Sequence, residues 1–343
     1  MKRKLYQLHK WCGLVAGIFI LLLGISGAIL VFHQELESLE NRNFWYVENQ
    51  SKVSIDKAYR NLVSLYPDYE LRLSRFSHEP SNTLIFNLKK NEKSLLAIMH
   101  PTDGSILKLI DSNKAWVNWI LNFHYSFQGG GLGKIAVFIA GLFFLTSLLT
   151  GLMIYRKSIF KVLLFRAPFR RGSGKAISSS LHRYIAVWAL LLNFLLVITG
   201  LLISFDNISH HGQTKSGSIS PMRISLDSAL NIVHSRYPEF RPTYIRFPKE
   251  SSKPLIINGK VEQASFYWTQ YYNEIAVDLH NGYIYPLKLT SQGSFKTKVA
   301  SVVGVIHLVE FDSFFVKMLF CLVGLSAPLL TITGFIIWRN KKR

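Results

Sequence analysis

The chain has 343 residues, and its 40 Lys and Arg against 20 Asp and Glu give a formal net charge of +20. A soluble protein this basic is usually a nucleic-acid binder, but 49% of these residues are hydrophobic and they form long blocks, which argues against that class and against disorder. The two cysteines, Cys12 and Cys321, exclude a disulfide scaffold and a four-cysteine metal site, and the absence of C-x-x-C-H excludes c-type haem.

Four segments of 21 or 22 residues contain no charged residue and no histidine, so each could cross a bilayer as an α-helix. In chain order they are Trp11–Phe32, Ile135–Tyr155, Tyr184–Phe205 and Met318–Trp338. The two long connections between them each have helical spacing followed by strand-like runs, which is typical of a small α+β module. The sequence therefore predicts an α-helical membrane protein with four transmembrane helices and two small α+β periplasmic modules.

This prediction divides the chain into seven segments. They are 1–34, the first transmembrane helix with a cytoplasmic N-terminus; 35–115, the first module; 116–156, an interfacial segment and the second helix; 157–182, a basic cytoplasmic loop; 183–206, the third helix; 207–298, the second module; and 299–343, an interfacial segment, the fourth helix and a cytoplasmic tail.

The charges are distributed unevenly among these segments. The N-terminal tail, the middle loop and the C-terminal tail are rich in Lys and Arg and contain no acidic residue. By the positive-inside rule both termini and the middle loop are cytoplasmic, which predicts a multi-pass protein of the bacterial inner membrane. The basic surplus then reflects topology and contact with membrane lipid, and no nucleic-acid partner is expected.

The chain also repeats itself. Each half consists of a span, an outer module and a second span, and matching segments follow at offsets of 171 to 183 residues. The matches include Leu8-His9-Lys10 with Leu181-His182-Arg183, Ile25-Ser26-Gly27 with Ile198-Thr199-Gly200, Ser54-Ile55-Asp56 with Ser225-Leu226-Asp227, His124 with His307, and Thr150-Gly151 with Thr333-Gly334. We infer a duplicated bundle whose parallel halves are related by a pseudo-two-fold axis along the membrane normal.

Four of the 11 histidines are paired by this duplication: His9 with His182 near the cytoplasmic side, and His124 with His307 on the outer side. Two imidazoles without further ligands make a poor zinc or copper site. They suit haem iron, whose four equatorial positions are filled by the porphyrin. The sequence thus predicts two non-covalent haem b groups, each with one histidine pair as iron ligands. His33, at the outer end of the first span, is a possible additional site residue.

At this point the sequence resembles the PepSY-associated transmembrane family over its whole length. The resemblance is carried by Leu8-His9-Lys10-Trp11, by Gly27–Phe32 followed by Glu35, by Leu181-His182-Arg183, and by Ile306-His307 followed by Glu310. Two Ser-x-Asp segments, each followed by Tyr-Pro, are similar to the starts of PepSY modules. The family includes haem-containing reductases of ferric siderophores, so the resemblance implies electron transfer outward to periplasmic Fe(III). Leu308-Val309 departs from the small turn-forming pair common in the family.

The predicted activity is haem-dependent reduction of a ferric siderophore, an oxidoreductase reaction in which a cytoplasmic or quinol donor supplies the electrons. No catalytic residue is expected beyond the haem ligands, and no G-x-G-x-x-G or Walker A sequence indicates a nucleotide domain. Two alternatives stay open. One is a membrane-anchored regulator whose PepSY modules bind a periplasmic protease or cell-wall partner, and the other is a quinone-linked cytochrome that serves another acceptor.

Overall fold

The computed structural model describes residues 2–48, 52–75, 82–91, 93–209, 224–248, 250 and 253–340. The α-helices are α1 (Lys2–Val15), α2 (Gly17–Leu30), α3 (His33–Glu40), α4 (Arg42–Trp45), α5 (Ile55–Leu65), α6 (Trp116–Ser126), α7 (Gly130–Tyr155), α8 (Ile159–Leu163), α9 (Gly174–Trp188), α10 (Leu190–Ser209), α11 (Leu226–Arg236), α12 (Phe295–Leu308) and α13 (Phe314–Arg339). The strands are β1 (Glu70–Arg75), β2 (Leu84–Lys90), β3 (Lys93–Met99), β4 (Ile106–Asp111), β5 (Phe240–Arg246), β6 (Leu255–Val261) and β7 (Glu274–Val277).

The chain forms two compact units. The first combines Met1–His33, Ile120–His211 and Ile306–Arg343 and is helical. The second combines Gln34–Trp119 and Gly212–Val305 and contains the strands. Each unit therefore draws on both halves of the sequence.

Within the helical unit, α7, α10 and α13 are long and apolar enough to cross a membrane, and α1 with α2 qualifies as one broken span. The break lies at Ala16, where the two helices are bent by 60°. A second interruption, at Ala189, separates α9 from α10, and it lies 173 residues after the first. The predicted continuous helices Trp11–Phe32 and Tyr184–Phe205 are therefore wrong in this detail.

The breaks coincide with a change of packing partner. α1 packs on α7, whereas α2 packs on α13; correspondingly, α9 packs on α13 and α10 on α7. Ala16 itself is 1% exposed and packs in a small core with Ile20 and Ala327. In each half, the first span thus contacts both α7 and α13, one of them with each of its two segments.

Two shorter helices, α6 and α12, precede the long helices α7 and α13. Tight turns connect them, with positive φ angles at Phe127, Gln128 and the first residue of α7, Gly130, and at Val309 before α13. These left-handed conformations are costly for a β-branched residue such as Val309. The turn before α13 therefore places a β-branched residue in the left-handed region.

The strands of the second unit form one antiparallel seven-stranded sheet with the order β4-β3-β2-β1-β5-β6-β7. The central pair is β1 with β5, in which Leu73 is opposite Ile245. The sequence suggests two separate modules, but their strands join here, because pairing β1 with β5 satisfies backbone groups that would otherwise lie at exposed edges. Leu73 and Ile245 are both fully buried in the core beneath the sheet.

The helices α5 and α11 cap each other. Asp227 accepts hydrogen bonds from the Ser54 hydroxyl and the Ile55 amide, each at 2.8 Å. Asp56 accepts in the same way from the Ser225 hydroxyl at 2.5 Å and the Leu226 amide at 2.8 Å. Carboxylates at helix N-termini satisfy unpaired amides there and interact favourably with the helix dipole. The repeated Ser-x-Asp sequence thus supplies a reciprocal cap.

Candidate functional site

The structure brings His9 and His182 together within the helical unit. His9 lies on α1 and His182 on α9, each in the helical segment that precedes the break at Ala16 or Ala189. Their ring centroids are 6.3 Å apart, and the ring planes are nearly perpendicular at 84°. This is the pair that the sequence assigns to the cytoplasmic side.

His124 and His307 form a second pair, carried by α6 and α12. Their ring centroids are also 6.3 Å apart, but the planes are inclined by 43°. Both rings line a cavity inside the helical unit. Its walls come from α2, α7, α10 and α13 and are largely apolar, with Gly27, Gly141 and Gly200 among small residues and Phe138 and Phe144 among aromatic ones.

The two pairs lie at different levels of the bundle. A Cβ at Gly334 of α13 would be 3.5 Å from the His182 ring, whereas Gly324 of the same helix lines the cavity of His124 and His307. Ten residues of α-helix correspond to about 15 Å along the axis. The bundle therefore separates two candidate sites along its length.

All four rings are held through Nδ1. The Nδ1 atom of His9 lies 3.0 Å from the backbone carbonyl oxygen of Ser147, and that of His307 lies 3.1 Å from the carbonyl oxygen of Leu196. Each of the four Nδ1 atoms also lies within 2.9 to 3.2 Å of a hydroxyl oxygen; these are Thr150 for His9, Ser26 for His124, Thr333 for His182 and Thr199 for His307. In the part of the chain that the structure describes, no hydrogen bond to these rings uses Nε2.

Glycines make room for the same rings. A Cβ at Gly200 would come within 2.8 Å of Cε1 of His307, and one at Gly27 within 3.0 Å of Cε1 of His124. Gly151 and Gly334 bear the same relation to His9 and His182, at 3.3 and 3.5 Å. Gly24 serves close helix packing instead, since a Cβ there would be 2.5 Å from Cδ of Pro328. The glycines of the helical unit therefore have two roles: some make room for the histidine rings, and others allow helices to pack closely.

The ring spacing can be compared with metal ligation. An imidazole nitrogen lies about 2 Å from a bound metal and about 1.1 Å from its own ring centre, so two rings on opposite sides of one metal have centres roughly 6.2 Å apart. Both pairs meet this spacing at 6.3 Å. Among the described residues, no group of three or more His, Cys, Asp or Glu is arranged to hold a metal. Each pair thus has the ring-centre spacing of two imidazoles on opposite sides of one metal.

His33 is not brought to either pair by any described contact. Its Nδ1 lies 3.0 Å from the carbonyl oxygen of Leu30, in the preceding turn of the chain. His78, His210 and His211, which have no counterpart in the other half of the sequence, lie outside the described residues.

Sequence reasoning missed the four hydroxyl partners. Ser26, Thr150, Thr199 and Thr333 each precede one of the glycines that contact a histidine ring. The sequence does contain a signal for them, because Ser/Thr-Gly recurs in both halves. In the sequence analysis that recurrence indicates only the duplication. Its chemical role follows from the contacts between helices.

The sequence model of the PepSY-associated TM region matches residues 6–341. The chain belongs to this PepSY-associated transmembrane family. Its membership, together with three apolar helices and the broken α1–α2 span among the described residues, makes it a multi-pass membrane protein. Comparison with curated protein sequences finds no match.

Proposed function

We propose that this member of the PepSY-associated transmembrane family is an inner-membrane dihaem b-type cytochrome that reduces periplasmic ferric siderophores and releases Fe(II). The bundle is a pseudo-two-fold duplication with both termini in the cytoplasm. His9 and His182 hold one haem, and His124 and His307 hold the other. The observation that carries the proposal is the 6.3 Å spacing of both histidine pairs.

The residues present fit a haem better than a bare metal ion. Zinc prefers four protein ligands, whereas the porphyrin supplies four equatorial nitrogens and leaves two axial positions. The apolar cavity at His124 and His307, with its glycines and phenylalanines, is suited to a flat apolar macrocycle. The structure therefore supports bis-histidine ligation at both levels.

The bound haems would supply one-electron transfer, while the protein determines how their iron is held. Because backbone carbonyls only accept hydrogen bonds, Nδ1 of His9 and His307 carries the proton and donates it to Ser147 and Leu196. The Nε2 lone pair of each ring is then available to iron. In metal sites, an acceptor bonded to the second ring nitrogen of a histidine ligand orients the imidazole and increases its basicity.

The electron route follows from the two levels and from the charge distribution. With a haem at each site, one electron would pass from a cytoplasmic or quinol donor, which is oxidised, through the inner site to the outer site and then to Fe(III), which is reduced. Siderophores are built for hard Fe(III) and hold Fe(II) weakly, so one electron per iron is enough to release the metal.

Haem content tests this function directly. Purified full-length protein should show a Soret band and about two non-covalent haems per chain. His9→Ala and His182→Ala should each remove the same haem, and His124→Ala and His307→Ala the other, whereas His33→Ala, the matched control, should keep both. A colourless protein from haem-replete cells would exclude the proposal, and loss of the same haem in His9→Ala and His124→Ala would exclude the pairing.

A further inference from the structure

The hydroxyl next to each histidine ring has a defined hydrogen-bond direction. The hydroxyls of Ser26, Thr150, Thr199 and Thr333 each donate to the backbone carbonyl four residues earlier in their own helix, at 2.8, 2.7, 2.6 and 2.7 Å. A hydroxyl has one proton, so once that proton is committed its oxygen can only accept. Each hydroxyl oxygen therefore accepts a hydrogen bond from the Nδ1–H of its histidine.

A backbone carbonyl reinforces this contact at His9 and His307. It belongs to the residue three positions before the hydroxyl, Ser147 for His9 and Leu196 for His307. The Nδ1 of each of these two rings thus faces two acceptors on one turn of a neighbouring helix. A Cβ on the glycine that follows the hydroxyl residue would lie 2.8 to 3.5 Å from Cε1 of the same ring. One helical turn consequently fixes the Nδ1 side of each ring and its adjacent edge.

The two sites differ in how their rings are turned. The planes of His9 and His182 are 84° apart, and those of His124 and His307 are 43° apart. We propose that the four Ser/Thr-Gly pairs are positioning residues that set these ring planes, so that the two haems are held in electronically different states. This inference rests on the proposed function, because it concerns the orientation of the haem ligands.

The relative orientation of two axial imidazoles has a measurable consequence. In low-spin Fe(III), perpendicular ligand planes leave two iron d orbitals nearly equal in energy, and the electron paramagnetic resonance spectrum then has one large g value. As the planes approach each other, the two orbitals separate and three resolved g values appear. The inner site should give the first kind of spectrum, and the outer site should be shifted toward the second.

The experiment uses frozen, oxidised, full-length protein. Wild type should show two low-spin signals. The signal whose largest g value is the higher of the two belongs to the inner site and should be lost in His9→Ala. The other signal should be lost in His307→Ala. Thr150→Val keeps the side-chain shape but removes one acceptor, so it should shift the inner signal alone. The inner midpoint potential should also rise, because a less basic imidazole stabilises Fe(III) less well. Thr199→Val should shift the signal and raise the midpoint potential of the outer site in the same way.

Two variants separate positioning from general damage. Thr150→Ser retains the hydroxyl and should restore the inner signal and potential, even if Thr150→Val fails to load the inner haem. Thr146→Val lies one turn earlier on α7, where the hydroxyl bonds only its own helix in the contacts described, and should leave both signals unchanged. Unchanged signals and potentials in a fully loaded Thr150→Val protein would overturn the inference. Two identical wild-type signals would overturn it as well, and so would a Thr150→Ser protein whose inner signal and potential differ from those of wild type. A protein without haem would instead overturn the proposed function.

Discussion

At the scale of single residues, the close contact between Gly200 and His307 limits what the outer site tolerates. A Cβ 2.8 Å from Cε1 is nearer than side-chain carbons normally approach, and α10 cannot easily retreat because it packs on α7. The imidazole would have to turn or shift, and its Nδ1 would leave Leu196 and Thr199. A single methyl group should therefore change the orientation of the proposed haem ligand His307 rather than the fold.

The corresponding prediction compares two glycines. Gly200→Ala should lower the haem content from about two to about one per chain and abolish the signal of the outer haem. Gly304→Ala, the matched control on the same helix as His307, should keep both haems, since no atom lies within 4 Å of its added Cβ and alanine is the better helix former. The pyridine haemochrome assay measures both. Full haem content in Gly200→Ala would contradict the importance of this contact.

At the scale of elements, the helix caps join the two halves of the sheet unit. Asp56 lies on α5 but caps α11, and Asp227 lies on α11 but caps α5. Neither helix therefore has a complete N-terminus without the other. Loss of one carboxylate should loosen the helix it caps, not the helix it belongs to.

This cross-relation can be tested by amide hydrogen exchange. Asp56→Ala should cost about 1–2 kcal/mol at the cap and increase exchange of the α11 amides by roughly 5- to 30-fold, with a smaller effect in α5. Asp68→Ala is the control, because its ion pair with Lys90 is solvent-exposed and such pairs contribute little. Faster exchange confined to α5 would contradict the reciprocal cap.

The same elements show what the sequence can predict. Charge-free stretches locate the membrane-spanning regions, and the helical spacing after Ser54 locates α5, because both signals are local. The breaks at Ala16 and Ala189 give no local signal, since alanine favours helices and the interruption accompanies a change of packing partner. The pairing of β1 with β5 is equally invisible, because it joins residues about 170 positions apart. The histidine pairs follow from the repeat, whereas their hydroxyl partners require the packing of neighbouring helices.

At the scale of the whole molecule, two histidine pairs at different levels give the proposed electron flow a direction. In proteoliposomes, reduced protein should be reoxidised by an impermeant ferric siderophore added on the side opposite the chain termini. His9→Ala should abolish flux from a donor on the side of the termini, while His33→Ala should retain it. Sidedness is measured by protease cleavage of a C-terminal tag. Equal reoxidation from the side of the termini would contradict the outward direction.

The pairing of β1 with β5 also has a consequence for biogenesis. At a synthesis rate of about 5–20 residues per second, β5 follows β1 from the ribosome after roughly 8–33 s. During that interval the first half has an open strand edge at β1, and Asp56 lacks the helix that it caps. The nascent N-terminal half is therefore a vulnerable intermediate, exposed to mispairing with other chains and to proteolysis until the second half arrives. The sheet unit can therefore be completed only late in the assembly of the protein, after β5 has been synthesised.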